Sequence, residues 1–224
     1  MKLSVIVPML NEAQVLATLL KDLDRIARQG GEIILADGGS EDGSPSIAER
    51  AGFTVVHSAR GRARQMNAAA AHATGDVVLF LHADSQLPDE AAKHVAQSLS
   101  SGTHCWGRFD VRISGRPHLL RLVSCLMNVR SRVTGIATGD QAMFVMRSAF
   151  DAVGGFPDQP LMEDIELSKR LLRRSRPACI ARRVVTSGRR WERDGVWRTI
   201  VLMWRLRWDY WRGVPAQQLA KVYR

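Results

Sequence analysis

No apolar run in the 224-residue sequence approaches the roughly 20 residues that a membrane-spanning helix requires. The first segment, MKLSVIVPMLNEA, has only a short apolar run before Asn11 and Glu12, so we expect a β-strand there and no signal peptide. Only three cysteines are present, far apart and without a CxxC pair, which predicts free thiols in a reducing compartment. With 46% hydrophobic residues, the chain is expected to bury a substantial core, and disorder is excluded.

Acidic residues are scarce in the second half of the chain. Residues 1–100 contain 9 Lys and Arg against 12 Asp and Glu, whereas residues 101–224 contain 23 against 10. The formal net charge of +10 therefore comes from the second half, and we expect any anionic partner to bind there.

Short β-type runs alternate with segments whose apolar residues have helical spacing. Strands are predicted at residues 3–7, 32–36, 54–56, 77–81, 106–113 and 142–146. Helices are predicted at residues 15–27, 46–51, 62–73, 90–99, 119–133 and 165–174. This order predicts an α/β fold with a mainly parallel sheet and helices on both faces, in which ligands gather beyond the carboxyl ends of the strands.

Polar residues follow the predicted strands: Asn11 with Glu12, then Asp37, Asp42 and Asp84. Each alone is explained by a turn or a helix cap, but together they predict a site along one edge of the sheet, at four strand ends. His82 and Asp84 lie two residues apart in extended chain, so their side chains can face the same way and hold a divalent cation. His82 is either a second ligand or a hydrogen-bond donor.

Charged residues open two of the predicted helices. Arg62 and Arg64 stand where a helix normally favours acidic residues, which indicates an anion nearby; the alternative is a solvated helix start. Glu163 and Asp164 open a later helix, where carboxylates are favoured in any protein.

A tryptophan stripe marks the C-terminal segment, which predicts an amphipathic helix. Its members are Trp197, Val201, Trp204, Trp208 and Trp211, flanked by Arg198, Arg205 and Arg212. Such a face either packs on the domain or lies in a membrane interface, with its cations on anionic lipid. In the second case the acceptor of any reaction is expected to be a lipid or lipid-linked.

Five motifs, in this order, resemble those of the family 2 glycosyltransferases, which have the Rossmann-like GT-A fold. They are VIVPMLNE at 5–12, DGGSEDGS at 37–44, GRARQMN at 61–67, GDVVLFLHAD at 75–84 and MEDIE at 162–166. The chain is most similar to the group that has a GRxRQMN loop and HAD in place of DxD. The resemblance implies one domain over residues 1–224, with a nucleotide-binding half at 1–100, an acceptor half at 101–190 and a helical segment at 191–224.

The same resemblance implies an inverting transferase that moves a sugar from a nucleotide-sugar, with Asp164 as the catalytic base. Mn²⁺ or Mg²⁺ is expected at Asp84 and His82, and the acceptor at Glu163 and Trp191. The residues expected to bind the nucleotide-sugar are Pro8, Asn11, Glu12, Asp37, Arg62, Arg64, Asn67, His82, Ala83, Asp84, Asp140 and Arg190. For Arg190 and Trp191, packing at the edge of the core is an equal alternative.

Two departures from the family pattern affect these expectations. The usual DDGS is Asp37-Gly38-Gly39-Ser40, and His82 replaces the first aspartate of DxD, which bears on ribose contact and metal preference. Ser187 stands where processive members have glutamine in QxxRW, which argues against a processive polymerase.

A UDP-sugar is expected over a GDP-sugar, with no nucleic-acid partner, and the protein is expected in the cytoplasm or at the inner face of the cytoplasmic membrane. The rival hypotheses are a sugar nucleotidyltransferase and a basic module that binds membrane or nucleic acid without catalysis.

Overall fold

A mixed eight-stranded sheet forms the centre of the protein in a computed structural model that describes residues 1–223. The strands are β1 (Leu3–Met9), β2 (Glu32–Asp37), β3 (Thr54–His57), β4 (Val77–Phe80), β5 (Ser85–Gln86), β6 (Trp106–Ser114), β7 (Phe144–Met146) and β8 (Ala178–Ser187). Their order is β3-β2-β1-β4-β7-β6-β8-β5. Strands β3, β2, β1 and β4 are parallel, as are β6 and β8, whereas β7 runs antiparallel to both of its neighbours. The predicted α/β fold is confirmed.

Ten α-helices surround the sheet within residues 1–223. They are α1 (Ala13–Arg28), α2 (Ser44–Arg50), α3 (Arg62–His72), α4 (Ala91–Leu99), α5 (Leu119–Thr134), α6 (Arg147–Ala152), α7 (Glu163–Leu172), α8 (Arg189–Asp194), α9 (Val196–Trp211) and α10 (Ala216–Tyr223), with a 3₁₀ turn at Gly139–Gln141. Every predicted strand and helix is present, with its ends displaced by a few residues at most. Strands β5 and β8 and helices α6, α8 and α10 were not predicted.

Strand β8 escaped prediction because its pairing with β6 is interrupted. Phe109 pairs with Ile180, but the next residue of β6, Asp110, pairs with Arg183, so Ala181 and Arg182 are extra residues in the ladder. A bulge of this kind breaks the alternation of buried and exposed residues by which a strand is recognised in sequence.

The two faces of the sheet have separate apolar cores. On β1, Val5 and Val7 belong to the core under α1 and α4, whereas Ile6 between them belongs to the core under α3, α6 and α7. Because both faces are covered, every residue of β1 is buried, which explains the continuous apolar run in the sequence.

Helix α9 packs on the domain with the face opposite its tryptophans. Leu206 is buried in a small core with Ile165 of α7 and Leu219 of α10. The tryptophan stripe faces outward, with 58–72% of each of its five side chains exposed. The core-packing alternative for this stripe is therefore wrong. None of the helices described by the structure is long and apolar enough to cross a membrane.

Gln65 of α3 joins the carboxyl ends of β1 and β2. Its side-chain amide is buried and donates to the carbonyl oxygens of Met9 at 2.7 Å and Ala36 at 2.9 Å. In the same helix, the Asn67 side chain makes hydrogen bonds to both the N–H and the carbonyl of Phe156, at 2.9 and 2.8 Å. The motif GRARQMN thus holds together the loops at one edge of the sheet.

We expect Gln65→Met to lower the free energy of unfolding by about 1–3 kcal/mol, because it removes two buried hydrogen bonds. Urea denaturation measures the change. Gln97→Met, at an exposed position on α4, is the matched control and should change stability by under about 0.5 kcal/mol. Equal stability of the two variants would contradict the bridging role of Gln65.

Candidate active site

The polar residues that follow strands lie at one edge of the sheet, as predicted. Asn11 and Glu12 follow β1, Asp37 ends β2, and Asp84 follows β4, and these three strands are adjacent. Asp42 also follows β2, so the cluster comes from three strand ends and the prediction of four was wrong. Two further predicted residues, Pro8 and Ala83, are buried there.

The loops after β1 and β2 are hydrogen-bonded to each other. Asn11, in the left-handed region at φ 56°, accepts from the Glu41 N–H at 2.9 Å, and its own N–H donates to Ser40 Oγ at 2.9 Å. Asp42 accepts from the N–H of Ala13 at 2.8 Å. The side chains of Asn11 and Asp42 therefore hold these two loops together by accepting hydrogen bonds from backbone N–H groups.

Asp37 is buried at the end of β2 and accepts hydrogen bonds from the backbone N–H groups of Gly39 and Ser40. Burial alone would raise the pKa of Asp37, but these hydrogen bonds and one with His57 hold it below its ordinary value. Asp37 is therefore a fixed, ionised acceptor at neutral pH.

Glu12 and Asp84 form an acidic pair at this edge. Burial raises the pKa of Glu12, and the negative charges of Asp84 and Asp42 raise it further against the opposing charge of Arg189. The Asp84 carboxylate is 31% exposed and lies 3.8 Å from the Arg189 guanidinium. Repulsion between neighbouring carboxylates favours a cation here.

Asp84 is suited to hold a divalent cation together with a ligand. Within residues 1–223, no group of three or more acidic, histidine or cysteine side chains has the arrangement of a complete metal site. A cation held by one carboxylate and completed by substrate phosphate oxygens and water needs no such group, and Mg²⁺ is commonly bound in this way.

The His82 ring lies between an aspartate and an arginine. Its Nδ1 is 3.3 Å from Asp140 Oδ1, and its Nε2 is 3.3 Å from Arg62 Nη1. An arginine only donates, so Nε2 accepts and the proton sits on Nδ1, facing Asp140. Both ring nitrogens are thus engaged, which favours a hydrogen-bonding role for His82 over metal ligation. Gly139 packs on the ring so closely that a Cβ there would overlap it.

The pKa values of Asp140 and Glu163 are shifted in opposite directions. Burial opposes ionisation of Asp140, but the hydrogen bond with His82 and the charges of Arg62 and Arg207 hold its pKa below the ordinary value. Burial raises the pKa of Glu163, an effect opposed by Arg62 and reinforced by Asp164. Glu163 is buried with its carboxylate 3.3 Å from Arg62 Nε, so it faces Arg62, whereas the sequence predicted contact with an acceptor.

Asp164 is oriented by the backbone at the start of α7. Its Oδ2 accepts from the N–H of Gly139 at 2.9 Å, and its Oδ1 accepts from the N–H of Ile165 at 2.7 Å. Met162, just before the helix, is in the left-handed region at φ 64°, a conformation that costs a non-glycine residue energy and is concentrated at functional sites. The Asp164 carboxylate is therefore held in one orientation, next to a strained turn.

Three predicted residues have other partners. Arg64 is exposed and forms a bidentate pair with Asp158, at 2.7 and 2.9 Å. Asn67 is used by Phe156, as described above. Arg190 stacks on the ring of Tyr223 at 3.7 Å and donates to its carbonyl at 2.8 Å. Arg64 and Asn67 therefore do not face the edge where Asp84 and His82 lie, whereas Arg190 lines the cavity next to it.

A cavity of about 790 Å³ extends from His82, Asp84 and Asp140 between helices α5 and α9. Its walls are mainly apolar, and Trp191 is among them, packed beside Ile113 and Val123. Two charged lining residues were missed from the sequence, Arg130 of α5 and Arg207 of α9.

Each of the missed arginines ends a series of apolar residues at helical spacing. The two series are Val123, Met127, Arg130 and Ile200, Met203, Arg207, and all six residues line the cavity. A cation at the third position of such a series is the signal that would have found both arginines.

Comparison with known proteins identifies the family. Residues 4–152 match the sequence profile described as Glycosyl transferase family 2. An undecaprenyl-phosphate 4-deoxy-4-formamido-L-arabinose transferase of Klebsiella pneumoniae is 32% identical over 152 residues, 62% of this chain and 46% of that protein. A beta-monoglucosyldiacylglycerol synthase of Synechocystis sp. is 25% identical over 93% of this chain and 49% of its own length. The chain spans about half the length of these relatives.

Solved structures share the fold. S. aureus TarS 1-349 in complex with UDP-GlcNAc superposes with a TM-score of 0.66 at 20% identity, covering 84% of this chain and 58% of that one. The mannosyltransferase PcManGT of Pyrobaculum calidifontis, in complex with GDP-Man and Mn²⁺, has a TM-score of 0.60 at 26% identity, with 82% and 56% covered. The profile match over most of the chain, on a sheet with the architecture of these GT-A enzymes, shows that the chain belongs to glycosyl transferase family 2.

Proposed function

We propose that the protein transfers a sugar from a nucleotide-sugar to a lipid or lipid-linked acceptor, with inversion at the anomeric carbon. The observation that carries this proposal is the position of Asp164, whose carboxylate is fixed by the Gly139 N–H beside the Asp140–His82–Arg62 chain of contacts. That chain opens into a cavity with mainly apolar walls. Two relatives, one whose name includes undecaprenyl-phosphate and one whose name includes diacylglycerol, support a lipid acceptor.

The donor is proposed to bind at the edge formed by Asn11, Glu12, Asp37 and Asp84. UDP is the nucleotide we favour, in line with the UDP-GlcNAc complex of TarS, although PcManGT was solved with GDP-Man. Asp84 would hold Mn²⁺ or Mg²⁺, which when bound neutralises the charge of a departing diphosphate. His82 is assigned to orienting Asp140 and Arg62 through its two ring nitrogens.

In the proposed reaction, Asp164 takes the proton of an acceptor hydroxyl while that oxygen bonds to the anomeric carbon. The bond from this carbon to the diphosphate oxygen breaks on the opposite face, and the nucleoside diphosphate leaves with the electron pair. Arg62, held by Glu163, contributes positive charge near the leaving group. Glu163 is thus a positioning residue for Arg62.

We expect Asp164→Asn to reduce the transfer rate at least about 100-fold, because the amide keeps the shape of the side chain but does not accept a proton. UDP affinity should stay within about twofold, as Asp164 is assigned to the acceptor. The matched control is Asp151→Asn, an exposed carboxylate on α6, which should leave the rate unchanged. Full turnover in Asp164→Asn would remove the residue from its role as base.

Donor binding tests the assignment of Asp84. In isothermal titration, we expect UDP to bind more tightly with Mn²⁺ than without it, and Asp84→Ala to abolish that difference. Asp151→Ala, exposed on α6, is the control and should preserve it. GDP is titrated in parallel, and tighter binding of GDP would overturn the preference for UDP. Metal dependence that survives in Asp84→Ala would place the cation elsewhere.

The exposed faces of α5 and α9 are proposed to contact a membrane surface. Leu122, Leu126, Val129 and Val133 of α5 are 52–70% exposed, in addition to the tryptophan stripe of α9. Contiguous exposed apolar side chains on two helices, in the half of the chain with 23 basic and 10 acidic residues, match the chemistry of an anionic bilayer. The inner face of the cytoplasmic membrane is the surface we propose.

The membrane contact is tested by sedimentation with phospholipid vesicles. We expect stronger binding to vesicles with 30% phosphatidylglycerol than to pure phosphatidylcholine, and at least about tenfold weaker binding of the double variant Trp208→Ser, Trp211→Ser. The ring centroids of these two tryptophans are 5.1 Å apart, and neither residue lines the cavity. Val222→Ser, an exposed apolar residue of α10, is the control. Binding that is unaffected by the tryptophan substitutions would contradict the proposed surface.

A further inference from the structure

Two arginines in the wall of the cavity lack the acidic partners that the other site arginines have. Arg62 faces Glu163, Arg189 faces Asp84, and Arg190 faces Asp194 and Tyr223. Among residues 1–223, no carboxylate lies within 4 Å of Arg130 or Arg207, and Arg130 Nε and Nη2 are buried without a hydrogen-bond partner. Buried N–H donors that remain unused on a half-buried guanidinium are costly unless a ligand accepts from them.

Arg130 and Arg207 repel each other across the cavity. Burial and the charge of Arg207 lower the pKa of Arg130 to about 10. Burial also lowers the pKa of Arg207, against the opposing charges of Asp164 and Asp140. The pair therefore lies near the proposed base, and an anion bound between the two guanidinium groups would relieve their repulsion.

The existing acids of the site do not fill this role. Asp140 faces His82 at 3.3 Å, and both oxygens of Asp164 accept backbone N–H groups. Beyond its charged residues, the cavity has apolar walls from α5 and α9, which include Met127 and Met203. A ligand with an anionic group at the two arginines and a hydrocarbon chain along these walls would match this distribution of charge.

From this we infer that Arg130 and Arg207 bind a phosphate group of the acceptor, and that the acceptor is a phosphate-bearing lipid whose hydroxyl lies at Asp164. The inference rests on the proposed transferase function and specifies its acceptor. Planar guanidinium groups bind phosphate through paired N–H donors, and two of them hold it in a defined orientation. The phosphate stays attached to the acceptor throughout, so it takes no part in the bonds that form and break.

The test uses two ligands with the same polar group and different apolar parts. Monomeric dihexanoyl phosphatidylglycerol has a phosphate, free hydroxyls and short acyl chains, whereas sn-glycerol 3-phosphate has no acyl chains. By isothermal titration we expect the lipid to bind the wild-type protein at least about tenfold more tightly than the soluble phosphate. Equal affinities would overturn the assignment to a lipid.

Substitutions distinguish the contribution of the arginine pair to lipid binding from that of other basic residues on the surface. Arg130→Met and Arg207→Met should each weaken binding of the short-chain lipid at least about tenfold, whereas Arg121→Met, exposed on the same helix as Arg130, should not. Arg207→Lys keeps the charge without the paired donors and should give an intermediate loss. Lipid affinity equal to wild type in both methionine variants would overturn the inference.

UDP binding in the presence of Mn²⁺, measured on the same variants, distinguishes the possible failures. Unchanged UDP affinity with lost lipid affinity supports an acceptor site and shows that the variants are folded. Lost UDP affinity with retained lipid affinity would assign the pair to the donor diphosphate and overturn the inference. A wild-type protein that binds UDP but not the lipid also overturns it and leaves the transferase function standing, whereas a protein that binds no nucleotide refutes the proposed function itself.

Discussion

The contacts of the Arg62 guanidinium connect the two halves of this protein. Arg62 opens α3 in the first half of the chain, and its side chain faces Glu163 at the start of α7 and His82 after β4. His82 in turn faces Asp140 in the 3₁₀ turn, whose neighbour Gly139 donates to Asp164. One side chain thus sets the relative positions of the donor edge, the turn and the proposed base. The strained backbone at Met162 is tolerated because these contacts fix Glu163 and Asp164, which follow it.

Much of the fold was accessible from the sequence because its first hundred residues follow a regular pattern. Strands such as β1 are buried on both faces and read as apolar runs, and the helices between them have one apolar face. The second half was harder to interpret. Strand β8 contains a bulge and was not predicted, whereas β7 was predicted as a strand, but its sequence did not indicate that it runs antiparallel to its neighbours.

The site was predicted unevenly, for reasons that differ from residue to residue. The sequence placed Asp37 and Asp84 at strand ends, and the sheet brings those ends together. Arg64 and Asn67 belong to the same motif as Arg62, but a helix turns successive residues in different directions, so they contact Asp158 and Phe156. Arg130 and Arg207 line one cavity because α5 and α9 lie on either side of it, and the apolar spacing within each helix does not reveal that the two helices face each other.

Helix α10 ends in the wall of the cavity. Tyr223 lines that cavity, and its ring and carbonyl both contact Arg190, so the last described turn of the chain is part of the surface that a long ligand would touch. A purification tag fused at this end of the chain would therefore compete with the ligand for space at this opening. Met1, by contrast, is 58% exposed and precedes β1, whose carboxyl end carries Asn11 and Glu12 at the opposite end of the strand. A fusion at the amino terminus would therefore leave the site accessible.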